Sequence, residues 1–139
     1  MLVLLDSNIF ISALLSYSGP SAAIYNAWLD DRFELVTCQQ QIDEIRLACR
    51  NPRFIGRLQP HLVGKMLNSL YAATVWPGPI PHKFDAADPT DSFLLNLAAA
   101  AEAHYLVTGD KRSQILALKK VGATSILTPR EFCEQVLHV

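Results

Sequence analysis

The chain begins MLVLLDSNIF, residues 1–10. Leu2–Leu5 form an unbroken apolar run that stops at Asp6-Ser7-Asn8. A short continuous apolar run bounded by polar turn formers predicts a strand buried on both faces, as in parallel sheets covered by helices. The residues that end it leave two readings open. Asp6 and Asn8 can be a strand stop and a helix cap. Alternatively, Asp6 is one corner of a metal site at the end of the first strand.

Working outward, Ile9–Leu15 reads as a short helix and Ser16–Pro20 as a loop. Ser21–Asp31 reads as a helix capped by Ser21, with Ala23, Ile24, Ala27 and Trp28 at helical spacing. Glu34–Cys38 is the second strand candidate, and the helix Gln39–Cys49 follows it until Asn51-Pro52 ends it. Pro60–Thr74 reads as a helix with Pro60 in its first turn. The segment WPGPIP, Trp76–Pro81, carries three prolines and a glycine and reads as loop. Ser92–Ala103 is nearly apolar all round and predicts a buried helix. Tyr105–Val107 is a third strand, Ser113–Lys120 a helix and Ser125–Leu127 a fourth strand. Pro129–Leu137 closes the chain as a helix with proline at its first position. Strands alternating with helices predict one three-layer α/β/α domain over residues 1–139, with a central parallel sheet of four to five strands.

Composition narrows the function classes. Half of the 139 residues are hydrophobic and 18% are charged, which excludes a disordered chain. The formal net charge is −1, so any nucleic-acid contact has to use local rather than global positive potential. Cys38, Cys49 and Cys133 are far apart and match neither a disulfide framework nor a zinc motif. The start lacks a basic segment and a cleavage site, and Leu94–Ala101 is too short to cross a bilayer. These features predict a soluble cytoplasmic protein without a membrane partner.

In a doubly wound sheet, the strand C-termini and helix N-termini share one edge, where ligands bind. The acids fall there. Asp6 ends the first strand, and Asp43 and Glu44 lie early in the helix after the second. Asp88 and Asp91, in DPTDSF, enter the alanine-rich helix, and Asp110, in TGDK, follows the third strand. Each alone has a structural explanation, because acids at helix starts gain about 0.3–1 kcal/mol from the helix dipole. Glu44 lies off the stripe of Ile42, Ile45 and Cys49, where a solvated side chain is equally compatible. Together the acids pose a problem: two carboxylates about 4 Å apart repel by roughly 4 kcal/mol at an effective dielectric of about 20. Either they do not converge, or a divalent cation neutralises them. An all-oxygen set suits Mg²⁺ or Mn²⁺, with Asn8 adding a neutral oxygen or supporting a ligand. His61, His82, His104 and His138 show no ligand spacing.

Five motifs in order, Asp6-Ser-Asn-Ile, Asp43-Glu-Ile, Asp88-Pro-Thr-Asp-Ser-Phe-Leu, Leu106-Val-Thr-Gly-Asp-Lys and Thr128-Pro-Arg-Glu-Phe, resemble the PIN-domain ribonuclease family. The likeness spans the chain and is strongest to the VapC-like toxin components of bacterial toxin–antitoxin pairs. It implies metal-dependent cleavage of single-stranded RNA by a metal-activated water. Asp6, Glu44, Asp91 and Asp110 match the acidic set; of these, Asp6, Asp91 and Asp110 hold Mg²⁺ or Mn²⁺, and Glu44 completes the shell or orients water. Asn8, Thr108 and Asp88 are supporting positions. Ser92 stands where relatives often carry a further acid or lysine. The resemblance further implies an antitoxin partner and a homodimer or higher homo-oligomer.

For substrate contact, Lys111 and Arg112 adjoin Asp110, and Arg46 and Arg50 recur at helical spacing, although a solvated arginine face explains the latter pair equally well. A phosphoryl-accepting signalling domain wants an acid pair near the first strand, where this chain has Asp6 alone. A haloacid-dehalogenase-type phosphatase wants Asp-x-Asp, and here the third position is Asn8. The remaining rival is a PIN-like module that binds RNA or protein without cutting it.

Overall fold

The computed structural model describes residues 1–109 and 115–139. Among them, six strands form one sheet: β1 (Leu2–Leu5), β2 (Glu34–Cys38), β3 (Thr74–Trp76), β4 (Tyr105–Val107), β5 (Lys120–Val121) and β6 (Thr124–Leu127). Their order across the sheet is β3-β2-β1-β4-β6-β5. The first five in that order are parallel, and β5 adds an antiparallel edge through the two-residue turn at Gly122-Ala123. Gly122 supplies the positive φ of 56° that such a turn requires.

The three-layer expectation holds, with more strands than four to five. The two additional strands are short edge pieces. β3 ends on Trp76, the first residue of the segment read as loop, and β5 precedes a tight turn. Neither is long enough to show a period of its own.

Among the described residues, seven α-helices accompany the sheet: α1 (Ser7–Leu15), α2 (Pro20–Leu29), α3 (Gln39–Cys49), α4 (Pro60–Ala72), α5 (Pro89–Ala101), α6 (Ile115–Leu118) and α7 (Pro129–Phe132). Side chains alternate across the central strands, as the strand period demands. Val3 and Leu5 of β1 join Leu35, Val107 and the apolar faces of α1–α4 in one core. Leu4 faces the other way, into a second core with Val36, Leu106 and Leu94, Leu97 and Ala98 of α5. Val3, Leu4 and Leu5 are all buried, so β1 is covered on both faces.

Several boundaries differ from the sequence reading, each for a local reason. α2 begins at Pro20 rather than Ser21, because Gly19 takes φ 101° at the cap position and Pro20 fits the first turn. α5 begins at Pro89 rather than Ser92: Asp88 is the cap, its carboxylate accepting the Thr90 N–H at 2.8 Å. Asp91 therefore lies inside the first turn instead of capping the helix. The closing helix is α-helical only through Phe132 and widens into a π turn over Cys133–Leu137. At its start, Thr128 and Glu131 form a reciprocal capping box at 3.0 and 3.1 Å. No helix among the described residues is long and apolar enough to cross a membrane.

Candidate active site

The strand order reverses around β1, which has β2 on one side and β4 on the other. In open parallel sheets this switch point opens a crevice at the strand C-termini. The register pairs Leu5 with Val107, so Asp6 and Thr108 are the first residues past the two strand ends. The Asp6 N–H donates to the Val107 carbonyl at 2.9 Å, and the Thr108 N–H donates to the Leu127 carbonyl at 3.0 Å. Main-chain ladders thus fix both positions.

Asp6 is 8% exposed. One carboxylate oxygen accepts the Asn8 N–H at 3.2 Å and the other accepts the Thr108 hydroxyl at 2.9 Å. Capping and site readings of Asp6 are therefore compatible: one oxygen caps α1, and each oxygen has a second lone-pair direction. Asn8 contributes its main-chain N–H to this arrangement, and its side chain is exposed.

Glu44 lies one helical turn beyond Gln40 on α3. Partial burial pushes its carboxyl above the usual carboxylate range, a hydrogen bond from Gln40 offsets part of that rise, and the charge of Asp6 adds to it. Asp6 is thus a repulsive neighbour of Glu44, although 38 residues separate them in the chain. Asp43 is placed differently. Its exposed carboxylate accepts from Gln39 at 2.9 Å and pairs with Arg46 at 3.5 Å. Arg46 also donates to the Tyr71 hydroxyl at 2.7 Å. The charge of Asp43 is engaged on the outer side of α3, whereas Glu44 feels Asp6.

Asp91 is partly exposed in the first turn of α5, on the same edge of the sheet. Asp88 is exposed and serves as the cap. Arg46 and Arg50 lie on α3 and just past its end, and both line a cavity of about 660 Å³ with Phe54, Ile55 and Leu67. Asp110, Lys111 and Arg112 lie outside the described residues. Among the described residues, no group of three or more His, Cys, Asp or Glu side chains could hold a metal ion. What they provide is an oxygen-only pair, Asp6 and Glu44, the charge of Asp6 acting on Glu44. Such oxygen donors suit a hard divalent cation rather than zinc or copper.

Two supporting residues escaped the sequence reading. Gln41 and Thr37 are both fully buried. The Thr37 hydroxyl donates to Gln41 Oε1 at 2.6 Å, and Gln41 Nε2 donates to the Leu5 carbonyl at 2.7 Å. One carboxamide therefore ties α3, which carries Glu44, to β2 and to the peptide just before Asp6. The signal was present: Gln41 precedes Ile45 by one helical turn, a polar residue on the apolar stripe.

A PIN domain family profile matches residues 2–112. The chain is similar to an uncharacterized protein of Methanocaldococcus jannaschii, with 25% identity over 141 aligned positions that cover 96% of this chain and 90% of that protein. No solved structure matches the chain closely enough to count as similar.

Proposed function

The chain is a member of the PIN domain family, and on that premise we propose that it is a metal-dependent endoribonuclease acting on single-stranded RNA. PIN domains are nucleases as a family and generally depend on divalent metals. The observation that carries the reading for this chain is Asp6, a buried carboxylate at the switch point of the sheet, held by the Asn8 N–H and the Thr108 hydroxyl and acting by its charge on Glu44. Retaining two mutually repelling acids there is costly unless a cation offsets them.

In this reading Asp6, Asp91 and Asp110 hold Mg²⁺ or Mn²⁺. The bound ion supplies a more acidic water and neutralises charge on the phosphodiester. The protein supplies position. Thr108 and the Asn8 N–H lock the Asp6 carboxylate, and Gln40 steadies Glu44. Glu44 completes the shell or orients the attacking water. Lys111 and Arg112 serve the phosphates. The toxin role, an antitoxin partner and self-association extend the reading through the motif resemblance alone.

The test is cleavage of a labelled single-stranded RNA by the full chain in Mg²⁺ or in excess chelator. Cleavage is expected only with metal, and Asp6→Asn should lose more than about 100-fold, exceeding the usual loss from outer-shell substitutions. Cleavage that persists in chelator, or in Asp6→Asn at full rate, overturns the assignment. Absence of cleavage with every RNA offered favours the non-catalytic binding module.

A further inference from the structure

A cavity of about 690 Å³ opens on the same edge as the acids. Its lining includes Cys38, the last residue of β2, and Gln39 and Gln40 from the first turn of α3. Pro89 and Ser92, which flank Asp91 in the first turn of α5, also line it. Gln40 lies one helical turn before Glu44 on α3. The cavity therefore takes lining residues from the first turns of both helices that carry Glu44 and Asp91.

Its chemistry is selective. Trp76, Ile80 and Phe93 form an apolar wall backed by the second core. The Trp76 indole N–H donates to the Pro79 carbonyl at 3.3 Å, which fixes the ring in the cavity lining. Asn96 pins the adjoining loop, accepting from the Lys83 and Phe84 N–H groups at 2.7 and 2.9 Å. The rest of the lining is polar, with Gln39 and Gln40 from α3, the Gln39 amide also donating to Asp43 at 2.9 Å, and the His82–Asp85 pair, 2.7 Å apart, from the adjoining loop. No lysine or arginine is among the described lining residues. Among the described lining residues a phosphate would find no lysine or arginine and would face the acid Asp85. A flat uncharged group finds an aromatic wall and amide donors and acceptors at its edge.

We propose that this cavity seats a nucleobase next to the scissile phosphate of a single-stranded RNA, with Trp76 as the stacking surface and the polar rim facing the base edge. The proposal rests on the ribonuclease reading for its substrate and adds to it a site that selects the position of the cut. Stacking tolerates any base, and hydrogen bonds at the edge create preference among them.

The experiment uses the full chain in chelator, with AMP, CMP, GMP, UMP and ribose 5-phosphate as probes. The readout is the indole N–H resonance of Trp76, with that of core residue Trp28 as internal reference. At least one nucleotide is expected to move the Trp76 signal while ribose 5-phosphate leaves it in place. No response to any nucleotide, or an equal response to ribose 5-phosphate, overturns the proposal. In parallel, binding of an oligouridylate pentamer should weaken by roughly 5- to 100-fold in Trp76→Ala, the range of one lost base stack, and be largely kept in Trp76→Phe. Unchanged binding in Trp76→Ala also overturns it. Loss of cleavage alone would defeat the ribonuclease reading while a Trp76 response preserved the pocket. Normal cleavage without any Trp76 response would do the reverse.

Discussion

Two buried carboxamides hold opposite sides of the proposed site, and they do so differently. Gln41 is fully buried and joins regular elements: α3, the Thr37 hydroxyl on β2 and the Leu5 carbonyl at the end of β1. Asn96, 4% exposed, serves an irregular segment. Its oxygen accepts from two successive main-chain N–H groups at Lys83 and Phe84, and its nitrogen donates to the Phe84 and Ser92 carbonyls at 2.9 and 2.7 Å. Gln41 fixes where the acids stand. Asn96 fixes the shape of the cavity wall. The number of bonds favours Asn96, but the access of water to the groups left behind favours Gln41 as the costlier loss. An unpaired group in the core has no alternative partner, whereas the peptide groups of Lys83 and Phe84 lie in an exposed or half-exposed loop.

That difference sets the scale of the effects. Gln41→Leu removes the amide that the Leu5 carbonyl accepts from and leaves the Thr37 hydroxyl only its 3.5 Å contact with the Cys38 carbonyl, and should lower the unfolding free energy by about 2–4 kcal/mol in denaturant melts. Asn96→Ala should cost less globally, about 1–2 kcal/mol, because solvent replaces part of what is lost. Its signature should be local: faster hydrogen exchange at the Lys83 and Phe84 amides, with β1 and β2 unaffected. The comparison breaks if Asn96→Ala proves the more destabilising of the two. Asp88→Ala removes only the cap of α5 and should cost about 1 kcal/mol without abolishing metal-dependent cleavage. A loss of cleavage comparable to that of Asp6→Asn would move Asp88 from the cap into the site.

The smallest effect concerns pH. Burial and the charge of Asp6 hold the Glu44 carboxyl above the usual carboxylate range. The native state therefore keeps this proton to a higher pH than the unfolded chain. In the window between the two pKa values the native state binds more protons, so stability from this group is lost as pH rises through it. Thermal midpoints measured in chelator across that window should show the decline in the wild type, and Glu44→Gln should flatten it. An equal decline in both proteins would show that another group is responsible.

Much of this architecture was legible in the residues. Continuous apolar runs gave β1 and the second strand their bounds, and Glu34–Cys38 and Gln39–Cys49 fall where the pattern placed them. The start of α5 was misplaced because its alanine- and leucine-rich run begins only after Ser92, although Pro89 after Asp88 is itself a helix-start signal. The edge strands β3 and β5 were invisible, being two or three residues long and shaped by pairing rather than by propensity. For the site, the sequence could place acids on one edge, and the motif resemblance favoured Glu44, but helical spacing alone did not separate it from Asp43. That distinction is tertiary: Asp43 meets Arg46 and Gln39, while Glu44 meets the field of Asp6. Gln41 and Asn96 went unread because a buried amide is recognised by its partners, and those partners lie 36 and 12–13 residues away.

The central claim is that a divalent cation relieves the repulsion between Asp6 and Glu44. Calorimetric titration of Mn²⁺ into the metal-free protein, beside the same titration of Asp6→Asn, addresses it directly. Saturable binding by the wild type that is lost in the variant is the predicted result. Equal binding by both proteins, or none by the wild type, would contradict it.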